Sequence, residues 1–434
     1  MTSQLILANG YGVALASDSA VTFGDSRTYE TSEKVFPLPD PHRLAVVAAG
    51  AAFFFHLPID VVLKKWITSL GDEPALSVQE YCDQFSSWLA RNLDELVPPE
   101  RREREALDYL KYSTLNDDSE FVRKQVEQAE SSGAVLTTTG RRRGAEEISK
   151  YIEDRTISLF RKRNGRHKKF PNSHVISADM VESSEISAKL VEQTFEKLSA
   201  EVDDDRQSLT DLIEESFDGL PRSAAMDQEI HRSIKLAIQK DPKFPSGLPI
   251  SLSFAGYGSD DLLPEIANVR LGGALGSHVW SRPVPVTYRS DEDGSLFYRV
   301  HTQGQAAQIL QFLRGSDEQA GREILKRTDA EVRAAWRDRQ ASDGSIATFS
   351  RVYDEVIESV IEQTERWTRE EHIYRTMWTL AGLPLGELAD AAQSLVNLQV
   401  LKQTVMGRLP TVGGPINVVT ITLNEGTQWR NRKD

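Results

Sequence analysis

Residues 2–18 read TSQLILANGYGVALASD, and this segment predicts a β-hairpin. Two apolar runs, 5–8 and 13–16, flank the dipeptide Asn9-Gly10. Asn-Gly is typical of tight hairpin turns, because both residues accept the positive φ angles that such turns require. Since both runs are apolar at consecutive positions, we expect each strand to be covered on both faces.

The segment after the hairpin predicts two more strands and then two helices. Short apolar runs at 34–36 and 43–49 are bounded by turn residues, which is typical of strands. Apolar residues at three- and four-residue spacing predict helices at 59–70 and 78–96. Strands therefore open the chain and helices follow them.

The sequence from 100 to 243 is charged and poor in strand signals, so it predicts a helical insertion. Beyond it we predict strands at 248–254, 265–272, 296–302 and 417–423, helices at 304–312, 318–381 and 388–404, and a polar tail after the last strand. We therefore divide the chain into a first part of the core (2–99), the insertion (100–243) and a second part of the core (244–434), with an added helical segment at about 318–381.

Composition and charge argue against several classes of protein. The net charge is −14, from 51 basic and 65 acidic residues, which makes nucleic acid an unexpected partner. No apolar run approaches the roughly 18 residues of a membrane span, and the N-terminus lacks the pattern of a secretory signal. The single cysteine, Cys82, excludes an internal disulfide and suits the cytoplasm. The basic residues within 141–169 are interpreted as a solvated helical face, with a patch for an anionic partner as the alternative.

Thr2 is the candidate nucleophile. A threonine hydroxyl reacts only when a base takes its proton, and the free amine of an N-terminal threonine has a pKa of about 8, close to working pH. Methionine is normally trimmed when the second residue is small, so we expect removal of Met1 to expose that amine. One residue then supplies both the nucleophile and its base.

Asp18, Lys34 and Gly50 are the expected partners of Thr2. The hairpin returns Asp18 to the N-terminus, and Lys34 starts the third predicted strand. A lysine ammonium beside the hydroxyl stabilises developing alkoxide charge, and a carboxylate holds the lysine in place. Gly50 ends the next strand, where its backbone N–H can serve an oxyanion hole. Each residue also has a simpler interpretation, as a frayed terminus, a turn cap, an edge lysine or a strand end.

These segments resemble the opening of a proteasome β-type subunit, and of bacterial proteasome-like subunits, in the N-terminal-nucleophile hydrolase superfamily. In that family the threonine, aspartate and lysine stand at the same relative spacings as Thr2, Asp18 and Lys34. The match to the family's oxyanion glycine, at Gly50, is less tight. The resemblance rests on Thr2, the strand 12–18, Lys34-Val35-Phe36, Ala48-Ala49-Gly50-Ala51, Phe254-Ala255-Gly256-Tyr257 with Pro264, and Val412-Gly413-Gly414-Pro415 with the strand after it.

The chain departs from the family pattern at three places. Ala20 stands where the family often has an arginine, and residues 302–304 hold no match for its supporting serine. Leu409 and Val412 replace the aspartate and serine that help to hold the threonine amine. These differences bear on rate and substrate class more than on fold.

The resemblance implies an α+β fold, a four-layer αββα sandwich in which strands within 3–49 and 248–302 form two stacked antiparallel sheets with helices outside. It also implies that Thr2 hydrolyses peptide bonds in a peptide or protein substrate, within a homo-oligomeric ring whose chamber limits access. An ATPase that unfolds substrates would be a separate partner, because the chain has no P-loop motif. No cofactor and no metal are expected, since the histidines lack metal-ligand spacing.

Two alternatives stay open at this point. One is an amidase or acylase that acts on a small molecule, since the same fold serves several amide chemistries. A deep pocket closed by the insertion at 100–243 would favour it. The other is a non-catalytic assembly subunit, which retention of Met1 would favour.

Overall fold

The computed structural model is an α+β protein built on two antiparallel sheets. It describes residues 2–23, 27–29, 33–131, 145–169, 172, 174–176, 184–200, 207–220, 223–240, 249–290, 296–315, 321, 326, 328–330, 332, 343–406 and 411–432. The strands are β1 (Ser3–Asn9), β2 (Gly12–Ser17), β3 (Val21–Phe23), β4 (Arg27–Tyr29), β5 (Val35–Pro37), β6 (Arg43–Gly50), β7 (Phe53–Phe54), β8 (Leu57–Pro58), β9 (His174–Ile176), β10 (Ser184–Glu185), β11 (Ile250–Tyr257), β12 (Glu265–Leu275), β13 (His278–Pro283), β14 (Tyr288–Arg289), β15 (Tyr298–Gly304), β16 (Asn417–Thr422) and β17 (Gly426–Asn431).

The helices fall into three groups along the chain, one after β8, one within the predicted insertion and one in the second part of the core. Two π-helical turns, Lys111–Leu115 and Thr368–Ile373, continue helices on either side of them. The α-helices are α1 (Ile59–Ser69), α2 (Val78–Arg91), α3 (Leu93–Leu96), α4 (Pro99–Leu110), α5 (Asn116–Ser131), α6 (Ala145–His167), α7 (Ala188–Ser199), α8 (Leu209–Ser216), α9 (Ala224–Gln239), α10 (Ala307–Arg314), α11 (Asp343–Trp367), α12 (Tyr374–Gly382) and α13 (Leu385–Val405).

The first sheet contains the predicted N-terminal hairpin. Its six strands lie in the order β14-β15-β1-β2-β16-β17, and all neighbouring pairs are antiparallel. β1 and β2 pair from Gln4 opposite Ser17 to Asn9 opposite Gly12, so the two-residue turn is Gly10-Tyr11 and not the predicted Asn9-Gly10, and none of these three residues has a positive φ. The ladder brings the end of β2 back to the start of β1, as the sequence predicts.

The C-terminal tail is a strand, so the prediction of a polar tail after one closing strand is wrong. β17 pairs with β16 and forms the edge of the first sheet. Trp429 packs against the core between the sheets, whereas Gln428 and Arg430 are exposed. A single apolar side chain is too weak a periodic signal to identify such an edge strand, and the pairing with β16 determines it.

The second sheet has seven strands in the order β10-β9-β13-β12-β11-β6-β5. The strands predicted around 34–36 and 43–49 are both present, and they pair with Val35 opposite Val47. β11 continues the sheet on the other side of β6, with Ser253 opposite Val47. Lys34 and Gly50 therefore lie at the two strand ends that meet at one corner of this sheet.

The hydrophobic core is divided by the alternation of side chains along the strands. One cluster lies between the sheets and joins Ile6 and Leu15 of the first sheet to Val47 and Ala255 of the second. The other face of the first sheet packs on α10, α12 and α13, and the other face of the second packs on α1, α2 and α3. Burial on both faces explains the consecutive apolar residues of the predicted strands.

Region 100–243 is largely helical, as predicted, and it also contributes two strands. Its helices enclose a hydrophobic cluster of their own, which includes Phe160 and Ile230. β9 pairs with β13 and β10 pairs with β9, so the region extends the second sheet. This extension lies at the edge opposite β5 and β6.

Asp118 is a buried carboxylate within this region. Its side chain is fully buried and forms an ion pair with Arg163, with 2.6 Å between the Asp118 Oδ1 and Arg163 Nη1 atoms. Burial outweighs the attraction of Arg163 and raises the pKa of Asp118 to about 6. Between the unfolded pKa, about 3.9, and this folded value, the folded state binds the extra proton. The contribution of Asp118 to stability therefore falls as pH rises through this window.

We expect Asp118→Asn to remove this pH dependence, because asparagine does not titrate. Between about pH 4 and pH 7 the free energy of unfolding of the variant, measured relative to wild type, should rise by about 2 kcal/mol. Denaturant unfolding of both proteins at the two pH values checks this difference. A difference between the proteins that is the same at both pH values would contradict the burial argument.

The later helices include the segment that was predicted at 318–381. Its described part contains α11 and α12, joined by the second π-helical turn. In the part of the chain that the structure describes, no helix has both the length and the apolar character that crossing a bilayer requires.

Candidate active site

Thr2 lies immediately before β1, at the end of the first sheet. Its side-chain hydroxyl donates to Asp18 Oδ1 over 3.0 Å. The backbone N–H of Ser3 donates to the same oxygen over 2.8 Å, and the Asp18 N–H donates to the Ser3 carbonyl over 3.1 Å. Two backbone bonds therefore fix the position of Asp18 relative to Thr2.

Asp18 accepts hydrogen bonds on both of its oxygens. Oδ1 accepts from Thr2, Ser3 and the Lys34 ammonium, and Oδ2 accepts from the Gly413 N–H over 3.1 Å. The residue has no exposed surface. A buried carboxylate is stable only when it is paired and hydrogen-bonded in this way, so the four donors compensate its burial and fix its orientation.

Lys34 reaches this cluster from the second sheet. Its Nζ lies 2.8 Å from Asp18 Oδ1 and 2.5 Å from the carbonyl oxygen of Ala20. Burial lowers the pKa of Lys34, although the neighbouring Asp18 acts in the opposite direction. An ammonium with a lowered pKa is a better proton donor and stabilises a nearby developing anion without competition from water. Ala20 stands where the family often has an arginine, and its backbone carbonyl oxygen accepts a hydrogen bond from Lys34.

Gly50 occupies the end of β6, close in the sheet to the segment that carries Lys34. The carbonyl of Lys34 accepts from the N–H of Ala48, two residues before Gly50. Gly50 has a φ of +92°, and a Cβ atom there would lie 1.9 Å from the carbonyl oxygen of Pro249. Only glycine fits this position. Among the described contacts, no hydrogen bond joins Gly50 to Thr2, Asp18 or Lys34, so the structure brings three of the four predicted residues into one cluster.

Gly413 is a site residue that the sequence analysis did not identify as such. Besides its bond to Asp18, its carbonyl accepts from the N–H groups of Ser19 and Ala20. It thereby holds the segment that follows β2 against the start of the closing strand. In the sequence, Gly413 stands out only as part of Val412-Gly413-Gly414-Pro415, a segment on which the resemblance rests and for which no contact with Asp18 was predicted.

The departures from the family pattern have structural counterparts. Val412 is buried, and Leu409 lies outside the described residues. At 302–304 the stretch ends in Gly304, whose φ is +70° and whose hypothetical Cβ would lie 2.0 Å from the Thr2 carbonyl oxygen. The N–H of the next residue, Gln305, donates to that same oxygen over 2.6 Å. The residue that contacts the Thr2 backbone at this point is therefore a glutamine, Gln305, and not a serine.

Behind Thr2, the space between the sheets contains polar side chains. The Gln4 amide donates to Ser17 Oγ over 3.2 Å and to the Ala48 carbonyl over 2.8 Å, which links the two sheets at the site.

Cys82 is buried in α2, away from this cluster of polar side chains, and burial raises the pKa of its thiol. A buried thiol of this kind is unreactive, so Cys82 has a packing role in α2.

Comparison with known proteins does not assign the chain to a family. No protein-family model matches the chain, and no curated protein matches it. The functional interpretation therefore rests on the geometry of the site.

Proposed function

We propose that the chain is a threonine-type amide hydrolase with the four-layer αββα fold of the N-terminal-nucleophile superfamily. Thr2 would become its nucleophile after removal of Met1. The two sheets that pack face to face, with helices on their outer faces, support the proposed fold. We further propose a proteasome-like peptidase that acts in the cytoplasm.

The observation that carries this proposal is the meeting of Thr2, Asp18 and Lys34 at one carboxylate oxygen. Thr2 is 4% exposed, Lys34 5% and Asp18 0%, so the cluster is removed from water. Taking two charges out of water costs several kcal/mol per ion before pairing offsets it. A frayed terminus and a solvated edge lysine do not form such a cluster, whereas an activated hydroxyl requires one.

The proposed reaction is acyl transfer. Thr2 Oγ attacks the carbonyl carbon of an amide, and its proton passes to the Thr2 amine, directly or through water, and then to the leaving nitrogen. Lys34 stabilises the alkoxide, Asp18 orients Lys34, and the Gly50 N–H is the proposed oxyanion donor. The product is an ester of Thr2, which water hydrolyses to release the acid and restore the hydroxyl.

The position of region 100–243 favours a peptidase over the alternative of a small-molecule amidase. The described part of the region joins the second sheet at β13, and three strands (β12, β11 and β6) separate β13 from β5. The strands of the region, β9 and β10, therefore lie at the far edge of this sheet from the strand ends that carry Lys34 and Gly50. We propose a peptide or protein substrate that reaches Thr2 through a chamber formed by several copies of the chain, with a separate ATPase as a partner.

Intact mass spectrometry before and after treatment with a peptide epoxyketone tests this proposal. The reagent forms a stable ring only with a free terminal amine and the hydroxyl of the same residue. We expect loss of Met1, one adduct on wild type and none on Thr2→Ala. Thr2→Ser, which keeps a hydroxyl and an amine, is the matched control and should still react. Retained Met1 would exclude the catalytic role and favour a non-catalytic assembly subunit.

A further inference from the structure

The backbone of Thr2 is held from the side of β15. Ser3 lies opposite Gly304 in the antiparallel ladder, so Thr2 lies opposite Gln305. The Gln305 N–H donates to the Thr2 carbonyl oxygen over 2.6 Å. In an extended chain the N–H and C=O of one residue point to the same side, so the amine of Thr2 also faces Gln305. Contacts that hold Gln305 in place therefore also hold the backbone of Thr2, which carries the nucleophile and its base.

The side chain of Gln305 is held by two residues from the other end of the chain. Its Oε1 accepts from the side-chain amide of Gln403, on α13, and lies 3.2 Å from the Thr411 hydroxyl, whose single proton it shares with Gln403. Gln403 in turn accepts on its own Oε1 from the Thr411 hydroxyl over 2.9 Å and from the Thr411 N–H over 3.2 Å. Gln403 thus binds both the residue beside Thr2 and the segment that leads to Gly413.

These bonds close a loop around the nucleophile. From Gln403 one arm runs through Gln305 to the Thr2 carbonyl, and the other runs through Thr411 to Gly413, Asp18 and the Thr2 hydroxyl. The two arms meet at the same threonine, one at its backbone and one at its side chain. A change at Gln403 would therefore alter the orientation of Thr2 relative to Asp18 without touching either residue.

Gln403 is not needed to cap the neighbouring helix. The first turn of α10 is held by Gln399, one turn earlier on α13, whose Oε1 accepts from the Gln308 N–H over 3.0 Å. Gln403 is only half-buried, and its neighbours Thr404 and Val405 are exposed, so it lies at the end of the helix and outside the main core. Its bonds serve the two segments that flank Thr2.

We propose that Gln403 is a positioning residue for the Thr2 nucleophile, acting through Gln305 on its backbone and through Thr411 and Gly413 on Asp18. This inference rests on the proposed function, because it concerns how that site is aligned. In this arrangement the neutral side chains of Gln305, Gln403 and Thr411 take the place of the aspartate and serine that help to hold the threonine amine in the family pattern.

The test is the rate of adduct formation with the peptide epoxyketone, measured at several reagent concentrations. Gln403→Met keeps the length of the side chain and removes all its bonds to Gln305 and Thr411. We expect the limiting rate of adduct formation to fall by about a hundredfold, as small misplacements of reacting groups do. The concentration that gives half of that rate should not change, since Gln403 does not touch substrate. Gln393→Met, a half-buried position on the same helix, is the matched control and should react like wild type.

A second variant keeps the test decisive if Gln403→Met does not fold. Gln403→Glu still accepts from Thr411 but can no longer donate to Gln305, so its limiting rate should fall between those of wild type and Gln403→Met. Wild-type rates in both folded variants would overturn the inference and leave the proposed function intact. Absence of any adduct on wild type would instead overturn the proposed function, and this inference with it.

Discussion

Lys34→Met is expected to slow adduct formation at Thr2 strongly and to destabilise the fold. Methionine fills the same space but leaves Asp18 as a fully buried carboxylate without a counter-ion. Removing one partner of a buried ion pair costs about 3–5 kcal/mol. Removal of a charge that stabilises the developing alkoxide should also slow the reaction by about a thousandfold. The free energy of unfolding and the rate of adduct formation measure the two effects separately.

The double variant Lys34→Met with Asp18→Asn separates stability from catalysis. It removes both charges, so we expect most of the lost stability to return while the reaction stays slow. Lys65→Met is the surface control, because Lys65 is exposed and pairs with the exposed Glu95. If Lys34→Met reacted as fast as wild type, the role of Lys34 in the reaction would be excluded.

Gly304→Ala is expected to displace the nucleophile directly. The new Cβ would lie 2.0 Å from the Thr2 carbonyl oxygen and 2.9 Å from Thr2 Cγ2, which are distances that no real contact allows. Thr2 or β15 must shift, and we expect adduct formation to slow by about a hundredfold. The positive φ of +70° adds about 1–3 kcal/mol of strain to the folded state.

Gly276→Ala is the matched control for this variant. Gly276 has a φ of +58°, but no atom lies within 4 Å of the Cβ that it would gain. Both variants therefore share the backbone strain, and only Gly304→Ala presses on Thr2. Equal rates of adduct formation in the two variants would show that the contact between Gly304 and Thr2 has no bearing on the reaction.

Local sequence patterns were sufficient for the strands and helices that surround the site. The hairpin was predictable because turn residues join two apolar runs, but the turn lies at Gly10-Tyr11 and not at Asn9-Gly10, so the ladder itself sets the register that brings Asp18 opposite Ser3. The approach of Asp18 to Thr2 follows from that register. Lys34, whose strand is separate in sequence and belongs to the other sheet, was proposed from its chemistry at a strand start, and the spacing shared with proteasome subunits supported it.

Several features could not be predicted because their physical cause lies far away in sequence. β17 is a strand only because β16 offers it a partner, and β9 is a strand only beside β13. Polar residues such as Gln305 and Gln403 carry no periodic signal, since their role depends on contacts across almost a hundred positions. Gly413 binds Asp18 through its backbone, which no side-chain pattern reports.

The sequence by itself determined the N-terminal hairpin, the apolar strands and the return of Asp18 to Thr2. These depend on turn propensity and on alternation, which act between near neighbours. The tertiary structure decided which groups share the buried carboxylate of Asp18 and which residues hold Thr2 from behind. It did so because burying a charge between two sheets requires donors from several strands at once, and only the packed sheets bring Lys34 and Gly413 to the same residue.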